Sequence, residues 1–94
     1  MKDVSIARNK AVRSVAKDDG AILLHLERGR YHSLNGSGAL LWDVLANGAT
    51  TPSALVTRLA ERYPNVPRER LERDVESFVA DLAARGAVQV EGER

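Results

Sequence analysis

The chain has 94 residues, of which 44% are hydrophobic and 29% are charged, and its 14 basic against 13 acidic residues give a net charge of +1. This length allows a single domain with one modest core, and the charge balance argues against a dedicated DNA-binding domain, which usually carries a clear positive excess. The absence of cysteine excludes disulfides, thiolate metal sites and cysteine nucleophiles.

The amino-terminal residues show no apolar targeting segment. The chain opens with Met1-Lys2-Asp3-Val4, and no apolar run approaches the ~20 residues of a membrane-spanning helix. We therefore expect a cytoplasmic protein that does not associate with membranes.

The first third of the chain has the pattern of β-strands. Residues 12–16, 21–26 and 30–34 have strand length and composition, and the turn residues Asp18-Asp19-Gly20 and Glu27-Arg28-Gly29 separate them. Two such runs joined by three residues that include glycine predict a β-hairpin. Residues 4–7 are either a short extra strand or a segment packed on the body, and residues 87–90 are a candidate final strand.

The remaining two thirds of the chain predicts three helices. The first covers about residues 37–46 and begins at a capping side chain, either Asn35 or Ser37. The second begins at Thr51-Pro52, a capping hydroxyl followed by proline at the first helical position. The third begins at Pro67 and ends at Arg85-Gly86. Its apolar residues recur at helical spacing: Leu71, Val75, Phe78, Val79 and Leu82. The predicted fold is α+β and winged-helix-like, a small three-stranded antiparallel sheet followed by three α-helices.

Three segments carry a resemblance to a known family. Gly20-Ala21-Ile22-Leu23-Leu24, Gly29 to Asn35 and Ala39-Leu40-Leu41-Trp42 stand in the order and spacing of the pyrroloquinoline-quinone biosynthesis protein D family, and residues 73–86 fit the same family. The chain resembles this family over roughly positions 12 to 90. In its small size it is similar to the stand-alone leader-binding proteins of lasso-peptide gene clusters.

This resemblance implies a recognition element for precursor peptides, occupying residues 1–94 as a single domain. Members of the family have no catalytic activity of their own and need no cofactor. They bind the leader segment of a ribosomally made peptide and present it to modifying enzymes. In the lasso case the partner would be a separate cysteine protease that removes the leader, followed by a cyclase. The leader adds as a further strand in the groove between the third strand and the last helix.

The residues expected at this groove follow from strand and helix geometry. Strand addition takes its affinity from main-chain hydrogen bonds and its selectivity from pockets for alternate side chains. The receiving strand would be residues 30–34, and the last helix would supply the opposite wall. We expect apolar leader side chains to enter near Phe78 and Val75, although an amphipathic stripe is more often simply core. The full set of expected peptide-binding residues is Arg30, Tyr31, His32, Ser33, Leu34, Arg70, Arg73, Asp74, Val75, Ser77, Phe78 and Asp81.

Two other functions stay open at this stage. A winged-helix DNA-binding protein would have a similar topology, but acidic residues such as Glu69 and Glu72 on the last helix would repel phosphates. An enzyme would have to rely on His25, His32 and scattered carboxylates, which form no recognisable catalytic arrangement. The two histidines also lack the flanking carboxylates of a metal site, so we expect no bound metal.

Overall fold

The computed structural model describes residues 4–92, so the expected domain limits at residues 1 and 94 lie outside the described residues. This part of the chain forms five strands and three helices. In chain order they are β1 (Val4–Arg8), β2 (Val12–Lys17), β3 (Gly20–His25), β4 (Arg30–Leu34), α1 (Gly36–Leu45), α2 (Pro52–Arg62), α3 (Arg68–Ala84) and β5 (Val88–Gly92). The predicted α+β, winged-helix-like fold, with three antiparallel strands ahead of three helices, is confirmed.

The main sheet has the strand order β2-β3-β4, with antiparallel pairing throughout. One face packs on the core, where Leu23 is only 3% exposed, and the other faces solvent, with Tyr31 77% and Val15 66% exposed. Gly20 holds the start of β3 against the end of β4. A side-chain Cβ at this position would lie 2.0 Å from the carbonyl oxygen of Leu34, so the chain can approach this closely only at glycine.

A separate two-stranded ribbon joins the two ends of the described chain. β1 pairs antiparallel with β5, from Val4 opposite Gly92 to Arg8 opposite Val88. Both segments were candidate strands, and the structure shows that they are each other's partners. Arg8 ties the ribbon to α1, because its guanidinium lies 4.2 Å from the ring centroid of Trp42 and its Nε donates to the Trp42 carbonyl at 3.2 Å.

Side-chain caps fix the starts of the first two helices. Asn35, rather than Ser37, caps α1: its Oδ1 accepts a hydrogen bond from the Gly38 amide at 2.8 Å. Thr51 caps α2 through an acceptor contact with the Ala54 amide at 3.2 Å, and Pro52 follows as the first helical residue. These local features place α1 immediately after β4, so that the helix starts beside the end of that strand.

The core lies between the helices and the inner face of the main sheet. α3 contributes four almost fully buried side chains at helical spacing. They are Leu71, Val75, Val79 and Leu82. Phe78 sits at the margin of this stripe and is only half-buried against the core. No helix within residues 4–92 is long and apolar enough to span a bilayer.

Candidate functional site

β4 is an edge strand whose outward main-chain groups can be assigned from the register. The Leu26 amide donates to the Ala11 carbonyl, and hydrogen-bonded pairs alternate along an antiparallel ladder. Every second residue of β3, counted back from Leu26, therefore bonds to β2, and the residues between them bond to β4. Leu23 is one of these, and its partner in β4 is His32. The N–H and C=O groups of the alternate β4 residues, Tyr31 and Ser33, therefore point away from the sheet, where a further strand could bond to them.

An open groove of about 530 Å³ adjoins this edge. One side is the end of β4 and the start of α1, and the opposite side is α3, with a residue of α2 at the bottom. The residues that line it are His32, Ser33, Leu34, Asn35, Ser37, Gly38, Leu41, Leu59, Arg70, Asp74, Ser77, Phe78 and Asp81. The groove thus lies between the third strand of the main sheet and the last helix.

The groove has an apolar floor and a polar rim. Leu41 and Leu59 are buried at the bottom, and the half-buried Leu34 and Phe78 close it on either side. Charged residues stand on the α3 rim at four- and seven-residue spacing, which places them on one helix face. They are Arg70, Asp74 and Asp81. An apolar floor suits hydrophobic side chains, whereas a charged rim selects the register of whatever binds.

A side-chain bridge crosses between β4 and α3 at one end of the groove. His32 Nε2 lies 3.3 Å from Asp81 Oδ2, and Asp81 Oδ1 also accepts from Arg85 Nε at 3.1 Å. Asp81 is about half exposed, so solvent screens both contacts and they contribute little to stability. Their effect is to orient the carboxylate and the imidazole at the strand edge.

The structure brings eight of the twelve expected residues together in the groove: His32, Ser33, Leu34, Arg70, Asp74, Ser77, Phe78 and Asp81. Arg30 lies elsewhere, at a second pocket at the other end of β4, and the Tyr31 side chain is on the solvent face of the sheet.

The structure does not place Val75 and Arg73 in the groove. Val75 is 1% exposed and belongs to the core, so a peptide side chain cannot reach it without opening the fold. Arg73 is exposed but does not line the groove. Successive helical residues are rotated by about 100°, which turns the positions on either side of Asp74 away from the groove.

Sequence reasoning missed the contribution of α1 and α2. Asn35 and Ser37 were considered only as alternative caps of the first helix, and Leu41 only as part of a family motif. The start of α1 lines the groove because α1 follows β4 without a connecting loop. The Asn35-x-x-Gly38 cap directly after the strand is the sequence feature that could have indicated this. Leu59 carries no local feature that would separate it from ordinary core.

No cluster of three or more potential metal-ligating side chains occurs within residues 4–92.

Comparison with known proteins gives a family and two solved structures. The family model described as coenzyme PQQ synthesis protein D (PqqD) matches residues 20–88. The structure of TbiB1 in complex with the TbiA(beta) leader peptide is similar with a TM-score of 0.80 and 32% identity, covering 88% of this chain and 94% of that one. The structure of a lasso peptide synthetase B1 complexed with the leader peptide gives 0.76 and 27%, covering 89% and 96%. No curated protein matches this sequence.

Proposed function

Since this chain belongs to the PqqD family, we propose that it binds the leader segment of a ribosomally made precursor peptide as an added strand on β4. The bound leader is presented to a separate cysteine protease, which removes it during lasso-peptide biosynthesis before a cyclase acts. In this proposal the chain is a non-enzymatic adaptor. The observation that carries the proposal is the unpaired β4 edge, whose outward N–H and C=O groups at Tyr31 and Ser33 adjoin the groove.

The two solved relatives support the choice of ligand. Both are complexes with leader peptides, and each covers nearly the whole described chain at an identity above a quarter. A groove beside an open strand edge is what strand addition requires, because main-chain hydrogen bonds give affinity and alternate side chains enter pockets.

Within this proposal the expected binding residues take different parts. Tyr31 and Ser33 act through their main chain. His32 and Leu34 present side chains on the inner face of β4, where an added strand would place its own inward side chains. Phe78 supplies the apolar wall, and the rim residues on α3 set register: Arg70, Asp74, Ser77 and Asp81. Arg30 lies at the far end of the strand, and Arg73 and Val75 take no part.

The charges on α3 favour a peptide over DNA as the ligand. Arg68 Nε lies 3.4 Å from a carboxylate oxygen of Glu72, and Arg85 is paired with Asp81. With three arginines and five acidic residues, α3 carries a net negative charge, which repels a phosphate backbone. The winged-helix DNA-binding alternative therefore has no specific observation in its favour.

The direct test is fluorescence anisotropy with a labelled leader peptide from the precursor encoded beside this chain. We expect a Kd at or below the micromolar range, and no saturable binding of a scrambled peptide with the same composition. A folded protein that binds neither peptide would contradict the proposal. With the partner protease present, adding the chain should accelerate leader removal; cleavage at an unchanged rate would contradict the presenting role.

A further inference from the structure

A second, smaller pocket of about 150 Å³ lies at the end of β4 away from α1, between the inner face of the sheet and the last turn of α3. Its walls are partly apolar, but three arginines surround it: Arg28, Arg30 and Arg85. No carboxylate is among its lining residues. The proposed leader-binding site does not explain this concentration of positive charge.

The arginines of this pocket have few partners of opposite charge. Within residues 4–92, neither Arg28 nor Arg30 lies within ion-pair distance of a carboxylate. Arg85 is paired with Asp81, which it shares with His32. The pocket therefore carries a net positive charge, and guanidinium groups bind carboxylates through paired, charge-assisted hydrogen bonds.

Arg28 is held in position before any ligand arrives. Its Nη1 donates to the Arg85 carbonyl at 3.3 Å, at the end of α3. Its guanidinium also lies against Gly86, where a Cβ would meet Arg28 Cζ at 3.0 Å. Gly86 has a φ of +77°, which favours glycine on its own account. The absence of a side chain at Gly86 thus leaves space for the guanidinium beside the end of α3.

A buried histidine also lies beside the pocket. His25 lines the pocket and is only 7% exposed. Its Nδ1 has no hydrogen-bond partner within the described part of the chain. Buried polar atoms are normally paired, and an unpaired one costs free energy. Because almost none of the Nδ1 surface is accessible, the His25 ring is a reporter of charge in the pocket rather than a donor to the ligand.

From this arrangement we propose that the pocket binds a carboxylate. In the assembled complex, that carboxylate is the side chain of an aspartate or glutamate in the bound leader. This second step rests on the proposed function. His32 lines both the groove and the pocket, so a strand bonded to Tyr31 and Ser33 passes the pocket mouth at Arg30. The carboxylate could also come from a small dicarboxylate in solution, and the test separates these two sources.

The first arm of the test uses glutarate as the probe and needs no leader peptide. In protein labelled with ¹⁵N-histidine, glutarate should shift the His25 ring resonances in a saturable way. The shift should be absent in Arg28→Gln and unchanged in Arg58→Gln, a matched control whose arginine pairs with Glu61 on α2. Failure of glutarate to move His25, or an equal response in Arg28→Gln, would overturn the carboxylate site. Circular dichroism would verify that each variant is folded.

The second arm replaces each acidic residue of the leader, one at a time, by its amide. One replacement should weaken binding to the unaltered chain about tenfold, the effect of losing a charge-assisted hydrogen bond, and should have no further effect in Arg28→Gln. If glutarate shifts the His25 resonances while no amide replacement in the leader has an effect that requires Arg28, the leader does not supply the carboxylate. In that case the second step is overturned. If no leader binds at all, the proposed function fails, whereas the glutarate result still decides the pocket.

Discussion

The two edges of the main sheet, β2 and β4, are equally unpaired but are built differently. Beyond Val12 every residue of β2 is exposed, and Arg13 and Lys17 stand on that edge, as is typical of strands that avoid pairing with other chains. β4 instead borders a groove with an apolar floor and a helix on its far side. An open edge alone does not make a selective binding site, because strand addition also needs a neighbouring wall with pockets for side chains.

The largest effect on leader binding should come from proline at the outward-facing N–H of β4. Ser33→Pro removes a hydrogen-bond donor that the sheet itself does not use. It leaves a buried acceptor of the leader unsatisfied, so we expect affinity to fall on the order of 100-fold. Anisotropy with the labelled leader measures the loss.

Ser14→Pro is the matched control on the other edge. By the same register, the Ser14 N–H also points away from the sheet, but beside β2. This variant should bind the leader normally. Equal loss of affinity in both variants would mean that proline disturbs the whole sheet, and a loss in Ser14→Pro alone would move the binding edge to β2.

The next largest effect should come from the apolar wall that distinguishes the β4 edge. Phe78→Ala removes a half-buried aromatic ring from the groove, and we expect affinity to fall roughly 10- to 30-fold for the lost apolar contact. Tyr31→Ala, which removes an aromatic side chain on the solvent face of the same edge, should change affinity much less. Isothermal titration calorimetry on both variants would show whether the ring in the groove matters more.

Val75→Ala tests whether Val75 belongs to the core or to the groove. Because Val75 is 1% exposed, its truncation should lower the free energy of unfolding by about 2 kcal/mol. Below the melting temperature the Kd for the leader should be unchanged. A selective loss of binding without loss of stability would place Val75 in the groove after all, against the described geometry.

The sequence predicted where the strands and helices begin and end better than it predicted which of them pack together. The limits of β4, the Thr51-Pro52 helix start and the turn after Arg85 were all predicted from local chemistry, because caps, prolines and glycines act on their immediate neighbours. The pairing of β1 with β5 joins the two ends of the described chain, and no local pattern encodes so distant a contact.

In the candidate site, too, local features were predicted from the sequence and tertiary contacts were not. The stripe on α3 was predicted, yet periodicity alone could not tell that Phe78 borders the groove while Val75 faces the core. That distinction depends on where β4 packs across the helix, which is a tertiary property. The outward direction of the Ser33 N–H likewise depends on the β3–β4 register, since a shift by one residue would reverse it.

A smaller effect should follow from removing the bridge between β4 and α3. Asp81→Asn keeps the shape of the side chain but removes the charge that contacts His32 and Arg85. Both contacts are partly exposed, so we expect leader affinity to change by about threefold or less and stability by less than about 1 kcal/mol. Binding measured at two ionic strengths checks this prediction. A tenfold loss would contradict the weak, solvent-screened contribution expected of these contacts.

The smallest effect on leader binding should come from the β2 edge itself. The double variant Arg13→Thr with Lys17→Thr removes the charges that protect β2 and should raise self-association, measured by sedimentation velocity. The affinity for the leader should stay within about twofold of that of the unaltered chain, because β4 is untouched. Weaker leader binding in a monomeric variant would contradict the division between the two edges.

The pairing of β1 with β5 has a consequence for how this unit can be combined with other proteins. Val4 and Gly92 are opposite partners in one ribbon, so their Cα atoms are only about 5 Å apart. A unit whose entry and exit points are neighbours can be spliced into a surface loop of a host enzyme without stretching either. Such a fusion would leave the groove between β4 and α3 intact, because neither ribbon strand lines it.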